Sequence, residues 1–197
     1  QLTPPQRRAQ CLFLANIHPR LQLDVLAQVE NPALVAADTN DLWIETERPA
    51  LEEVIAAADI MFLNDSEARL FLGGSDLREA AAQILALGPR FVVIKRGEYG
   101  SLVFGEGDAF IAPAYPVERV VDPTGAGDAF AGAAVGYLAK AGTLDWEALR
   151  AGVVWGAVAA SFVVEDFSVG RLLLLTRARL LERYRSLLAL TRFPPAD

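Results

Sequence analysis

The sequence is poor in the residues that bind soft metals or form disulfide bonds. Its 197 residues include one cysteine, Cys11, and one histidine, His18. A single cysteine rules out an internal disulfide framework and fits a reducing compartment, so we expect a cytoplasmic protein. One cysteine and one histidine are also too few for a Cys/His zinc cluster.

Long apolar runs and an excess of positive charge are absent as well. No uncharged apolar stretch reaches the roughly 18 residues of a membrane span, so a membrane is not an expected partner. The 18 lysines and arginines are outnumbered by 25 aspartates and glutamates, and the net charge of −7 argues against nucleic acid as a partner. The apolar fraction of 53% indicates a globular chain. We expect one domain over residues 1–197.

Short apolar runs alternate with helical patterns in the first half of the chain. Strands are predicted over residues 11–16, 33–38, 60–64 and 91–95, and helices over residues 21–29, 51–58, 65–72 and 77–87. This order predicts a mainly parallel sheet covered on both faces, which is a three-layer α/β fold. Beyond it, residues 101–104 and 109–113 flank a turn signal and predict an antiparallel hairpin. Helices over about 145–163 and 176–191 follow.

The stretch most suited to chemistry covers residues 122–138 and reads DPTGAGDAFAGAAVGYL. Pro123 favours a turn, and the small residues 125–127 leave the backbone open to a ligand. Residues 129–141 then predict a tightly packed helix. A glycine-rich turn before a helix presents free N–H groups and the positive end of the helix dipole, which suit a phosphate. Asp128 beside such a turn is suited to be the base in phosphoryl transfer.

Two common glycine motifs do not fit this stretch. A dinucleotide-binding motif would need glycine where Phe130 stands. A P-loop fits Gly127 and Gly132 but would need lysine and a hydroxyl residue at positions 133 and 134, which are alanines. The remaining alternative is a plain helix cap, in which Asp128 only satisfies the helix dipole.

The segment DPTGAGDAF resembles the C-terminal signature of the ribokinase-like (PfkB) family of sugar and nucleoside kinases. The resemblance covers about residues 12–174. It implies an ATP-dependent phosphotransferase that phosphorylates a hydroxyl of a sugar or nucleoside. It also implies that Gly125, Ala126 and Gly127 form an anion hole. Asp128 would then bind the acceptor hydroxyl and remove its proton.

Two further segments are similar to motifs of the same family. An Asn-x-x-Glu motif, here Asn64 and Glu67, acts in the family around the nucleotide phosphates and Mg²⁺. Glu67 is thus the implied metal contact, and one carboxylate suffices because Mg²⁺ keeps several waters. The alternative is a capping box without a ligand. The segment KRGEYG is similar to a Thr-x-Gly-x-x-Gly segment that lies against the nucleotide, which implies ATP contacts at Gly97 and Gly100.

The roles of three charged features remain open. Lys95 stands where the family usually has threonine, and it either reaches a phosphate or points into solvent. Asp38, at a strand end, either orients a ligand or forms a turn with Thr39, and the turn is favoured. The arginine-rich residues 171–192 are interpreted as a solvated amphipathic helix rather than a nucleic-acid surface.

The resemblance also has gaps. Family members carry an N-terminal portion with the first sheet strands, a β-sheet lid and a Gly-Gly motif, so we expect an N-terminally truncated, partial domain. Gly156 stands near the place of an asparagine beside the adenine, and EDFSVGR (165–171) lacks a clear cation loop, which makes potassium activation doubtful. Family dimers often form through the lid, so a homodimer remains open. The alternative function is a catalytically incompetent nucleotide-binding fragment that needs a missing segment or a partner.

Overall fold

The computed structural model describes residues 1–193 and contains a six-stranded sheet in the order β1-β2-β3-β4-β5-β6. The strands are β1 (Cys11–Leu14), β2 (Leu34–Asp38), β3 (Ile60–Asn64), β4 (Phe91–Lys95), β5 (Ser101–Gly105) and β6 (Asp108–Ala112). Strands β1 to β4 are parallel, whereas β5 and β6 are antiparallel to their neighbours. The predicted three-layer, mainly parallel α/β fold is confirmed.

Helices cover both faces of this sheet. They are α1 (Pro4–Arg7), α2 (Pro19–Leu26), α3 (Asp41–Thr46), α4 (Arg48–Ala57), α5 (Asp65–Leu72), α6 (Leu77–Leu85), α7 (Ala126–Ala141), α8 (Trp146–Val163), α9 (Gly170–Leu173) and α10 (Arg177–Leu190). Helices α7, α8 and α10 pack on one face and α2 to α6 on the other. In residues 1–193, no helix is both long and apolar enough to cross a membrane.

Alternation along the central strands divides the core into two layers. In β3, Ile60 and Phe62 face α7 and α8, while Met61 and Leu63 face the opposite helices. All four are at most 1% exposed, and each fully buried side chain of this size contributes about 1.5–3 kcal/mol. The continuous apolar strands that the sequence predicted are therefore strands buried on both faces.

Helix α7 lies closely against its neighbour α8. A Cβ atom on Gly156 would stand 2.7 Å from the backbone oxygen of Phe130. Gly156, near the place where the resemblance implies an adenine-side asparagine, is thus at a contact between two helices. A larger side chain there would force α7 and α8 apart.

Most predicted elements are present with shifted ends. Helix α7 begins at Ala126 rather than residue 129, because Gly125 adopts a φ of 79° and forms its N-cap. Helix α6 ends at Leu85, two residues early. The short helices α1, α3 and α9 were not predicted, since four to six residues hold too little of the helical period to be recognised.

Candidate active site

Three polar side chains meet at the carboxyl edge of the parallel strands. Asp38, Asn64 and Lys95 are the last residues of β2, β3 and β4. Each lies two positions beyond a core residue on the α7 side, namely Ala36, Phe62 and Val93. Because side chains alternate between the two faces of a strand, all three side chains leave the sheet on the face that α7 covers. In open α/β sheets, this edge is where ligands bind.

The N-terminal end of α7 contributes the other side of the site. The turn before it is stabilised by Asp122, whose Oδ1 accepts a hydrogen bond from the Thr124 N–H at 2.9 Å. A Cβ atom on Gly125 would meet no heavy atom within 4 Å, so the backbone is open there. Asp128 is the third residue of α7 and is exposed. The predicted anion turn and base are thus adjacent.

Lys95 links the strand ends to this turn and does not point into solvent. Its Nζ donates to Oδ2 of Asp38 at 2.6 Å, and these side chains are 16% and 4% exposed. The same Nζ lies 3.4 Å from the position that a Cβ on Gly127 would occupy. The strand ends and the turn at α7 therefore form one site.

The turn role that the sequence favours for Asp38 explains the hydrogen bond of only one of its carboxylate oxygens. Its Oδ1 accepts a hydrogen bond from the Thr39 N–H at 2.9 Å, as a turn residue would, but its other oxygen binds Lys95. Burial raises the pKa of Asp38, and the nearby ammonium opposes that rise. The charge of Asp128 makes a smaller contribution that also raises this pKa.

Asn64 and Glu67 form the predicted capping box at the start of α5. The Asn64 N–H donates to Oε2 of Glu67 at 2.5 Å, and the Glu67 N–H donates to Oδ1 of Asn64 at 2.8 Å. Glu67 is 6% exposed, and burial raises its pKa to about 7, against the opposing effects of the Asn64 N–H and Lys95. The capping geometry is confirmed, while the metal role of Glu67 stays a prediction.

The two glycines after β4 have different surroundings. Gly97 begins a 3₁₀ turn, and a Cβ there would meet nothing within 4 Å. A Cβ on Gly100 would lie 2.1 Å from the backbone oxygen of Ala112, so this position is closed by the protein itself. The nucleotide contacts of both glycines stay predictions, and Gly100 has a packing reason to be glycine.

A cleft of about 670 Å³ lies beside the turn at α7. Its polar side includes Asp122, Thr124 and Asp128, and its other side is formed by the end of α8 and the residues after it: Val163, Phe167, Ser168, Val169 and Leu172. This apolar wall was not predicted from the sequence. The apolar residues between the two predicted C-terminal helices were the signal that could have indicated it.

The chemistry of the donor set limits which metal the site can hold. Over the described residues 1–193, no group of three or more His, Cys, Asp or Glu side chains could hold a metal ion. A cation at Glu67 would take most of its ligands from water and phosphate. Mg²⁺ is commonly bound in this way, so the residues present fit it.

Comparison with known proteins supports the resemblance. Residues 10–171 match the profile of the pfkB family carbohydrate kinases. A cytidine kinase from Thermococcus kodakarensis is 38% identical over 136 residues, which make up 66% of this chain and 47% of that protein.

Solved structures share the fold at lower identity. Ribokinase from Arabidopsis thaliana, complexed with ribose and ATP, gives a TM-score of 0.74 at 24% identity and covers 91% of this chain and 57% of its own. A protein from E. coli described as ribokinase II, in complex with ATP and Mg²⁺, gives 0.65 at 23% identity, over 86% of this chain and 52% of its own. This chain thus spans about half the length of these proteins. With most of its residues covered by the family profile, the chain belongs to the pfkB family of carbohydrate kinases.

Proposed function

We propose that this chain binds ATP with Mg²⁺ and transfers the γ-phosphate to a hydroxyl of a sugar or nucleoside. The observation that carries this proposal is the meeting of Asp128, the turn 125–127 with its open backbone at Gly125, and Lys95 at the carboxyl edge of the sheet. A base, backbone N–H donors and a cation in one place are what phosphoryl transfer requires.

In the proposed step, Asp128 accepts the proton of the acceptor hydroxyl. The hydroxyl oxygen then forms a bond to the γ-phosphorus, and the bond from that phosphorus to the β–γ bridging oxygen breaks, which releases ADP. The Ala126 N–H donates to the Pro123 carbonyl at 3.2 Å, so the N–H groups of Gly127 and Asp128 are the ones that would stabilise the negative charge on the phosphoryl oxygens. Exposure of Asp128 leaves it free to meet an acceptor.

The nucleotide would extend from the anion turn into the neighbouring cleft. The apolar wall formed by Val163, Phe167 and Leu172 suits a flat base. The open backbone at Gly125 leaves room for phosphates next to the N-terminus of α7. Gly97 offers similar open backbone after β4.

Mg²⁺ would be held near Glu67, chiefly through water. Each of the two side chains accepts one hydrogen bond in the capping box, and Glu67 is the better metal ligand because its carboxylate has a second oxygen and can carry a negative charge. When bound, the ion neutralises charge on the phosphates. The buried carboxylate, with a pKa of about 7, would be ionised more completely beside a cation.

A nucleotide-binding chain without catalysis is the second candidate. It is favoured by the coverage of only 47% of the cytidine kinase, which leaves half of that relative without a counterpart in the match. In this case ATP would bind, but no acceptor would be held near Asp128. The two candidates therefore differ in transfer and not in binding.

Binding and transfer can be measured on the same preparation. Calorimetry and melting with Mg-ATP and Mg-ADP test the nucleotide site, since a ligand of the folded state raises the melting temperature. Radiolabelled ATP with a panel of nucleosides and sugars, cytidine among them, tests transfer. Binding with transfer supports the kinase, and binding without transfer supports the second candidate. The absence of both binding and transfer would overturn both candidates.

Asp128→Asn tests the proposed base. It keeps the size of the side chain but removes the proton acceptor, so nucleotide affinity should hardly change while turnover falls by about 10²–10⁴. Asp24→Asn removes the same charge from an exposed position of α2 and is the matched control. Full turnover in Asp128→Asn would refute the proposed mechanism.

A further inference from the structure

We infer that Lys95 binds the terminal phosphate of the nucleotide and that Asp38 is the positioning residue that holds it there. This inference rests on the proposed function and names a phosphate contact within the same site. The competing explanation is purely structural, with Lys95 serving only as the counter-ion of a buried Asp38. The two explanations differ in where they require the ammonium group of Lys95 to lie.

The first observation is the place of the ammonium. A counter-ion needs only to meet its carboxylate, which Lys95 does at 2.6 Å. Its Nζ also lies 3.4 Å from the Cβ position of Gly127, inside the turn that leads into α7. A side chain at position 127 would press on the ammonium. The small residue in the turn thus leaves Lys95 beside the N–H groups that favour an anion.

The second observation is the number of donors still available. An ammonium group has three N–H donors. Over the described part of the chain, Nζ of Lys95 makes one hydrogen bond, to Asp38. Two donors remain at the edge of the turn, and phosphate oxygens are acceptors that suit both of them.

The third observation is the charge of the surroundings. Asp38 ends β2, Glu67 closely follows the end of β3, and Asp128 follows the turn that Lys95 approaches, so without a cation these carboxylates would repel a nucleotide triphosphate. Within residues 1–193, Lys95 supplies a cation beside Gly127 in this turn. Asp38 holds the long lysine stem in one geometry, which lowers the entropy cost of ordering it when phosphate binds.

The test compares nucleotides that differ only in their phosphates. AMP, ADP and a non-hydrolysable ATP analogue are titrated into the 197-residue chain and its variants by calorimetry, at one salt concentration. Lys95→Met should weaken binding of the ATP analogue by about 10–100-fold, the effect expected for a lost charge-assisted hydrogen bond. The same substitution should weaken the binding of ADP less and that of AMP little. Lys95→Arg should restore part of the loss.

Two further variants separate phosphate binding from a structural pair. Asp38→Asn keeps the ammonium and should weaken the ATP analogue less than Lys95→Met does. Lys140→Met removes the same side chain from the exposed far end of α7 and should change nothing. Should Lys95→Met unfold the chain by leaving Asp38 without its counter-ion, the double variant with Asp38→Asn, compared with Asp38→Asn alone, gives the same test.

Each outcome decides the question. Losses of affinity in Lys95→Met that grow with the number of phosphates on the nucleotide support the inference. If Lys95→Met binds all three nucleotides as the wild type does, or loses equal affinity for all three, the inference is overturned while the proposed nucleotide site stands. If the wild-type chain binds no nucleotide, the proposed function falls and this inference falls with it.

Discussion

The burial of Glu67 should make the stability of this fold depend on pH near neutrality. Glu67 is 6% exposed, and burial raises its pKa from 4.5 to about 7. Between these pH values the folded protein keeps a proton that the unfolded chain has lost. The stabilisation is therefore fully present below pH 4.5 and is lost as the pH rises through 7.

The size of the effect follows from the difference between the two pKa values. It corresponds to at most about 3 kcal/mol. Glu67 lies at the open carboxyl edge of the sheet, where water screens charges, so we expect roughly 1–2 kcal/mol in the metal-free protein. Glu67→Gln keeps an oxygen that can accept from the Asn64 N–H but cannot ionise, so this part of the pH dependence should disappear.

Urea unfolding between pH 5 and pH 8, followed by tryptophan fluorescence, measures the effect. The wild type should lose stability over this interval, and Glu67→Gln should lose less by roughly 1–2 kcal/mol. Glu53→Gln, at an exposed position of α4, is the matched control and should follow the wild type. An unchanged pH slope in Glu67→Gln would show that this carboxyl is not the source.

Magnesium separates the two roles of Glu67. A bound cation favours the ionised carboxylate, so Glu67→Gln should weaken the magnesium dependence of nucleotide binding. If Glu67 only caps α5, the substitution should change melting and leave that dependence intact. Titrating Mg²⁺ at fixed ATP distinguishes these results.

Two further predictions concern packing around the site. Gly100→Ala should destabilise the fold by more than about 1 kcal/mol in urea unfolding, because Gly100 has a φ of 82° and its Cβ would meet the backbone oxygen of Ala112; wild-type stability would contradict the close approach. Arg183→Met should cost about 2 kcal/mol, because among residues 1–193 Glu165 keeps only Arg171 as a partner and the largely buried Arg183 also loses its hydrogen bond to Ser161 at 3.0 Å. An equal loss in Arg177→Met, on the exposed start of α10, would refute that reason.

Much of the fold could be predicted because its physical signals are local. Strands buried on both faces need continuous apolar residues, and β3 and β4 were predicted with the ends they have. The hairpin was predicted from its glycines, and its two turn residues, Glu106 and Gly107, have positive φ values of 54° and 81°, as a type I′ turn requires. Short helices such as α3 contain too little of the helical period to be recognised in a sequence.

The candidate site was only partly predictable for the opposite reason. Asn64 and Glu67 are three residues apart, and Asp128 directly follows its turn, so spacing indicates both pairs. The contact between Asp38 and Lys95 joins residues that are 57 positions apart. It depends on how the strands pair, which no local pattern gives. The apolar wall of the cleft is likewise brought to Asp128 only by the packing of α8 against α7.

Strand register explains why the core and the site depend on one another. Asn64 pairs with Lys95 between β3 and β4, and Asp38 pairs with Phe62 between β2 and β3. A slip of β4 by one residue would move Val93 out of the layer under α7 and would turn Lys95 to the opposite face at the same time. The burial of Val93, which is 0% exposed, therefore also fixes the face on which the ammonium of Lys95 emerges. The apolar alternation that stabilises the sheet thus positions the charges at its edge, and core substitutions that loosen the register should reduce nucleotide affinity before they unfold the chain.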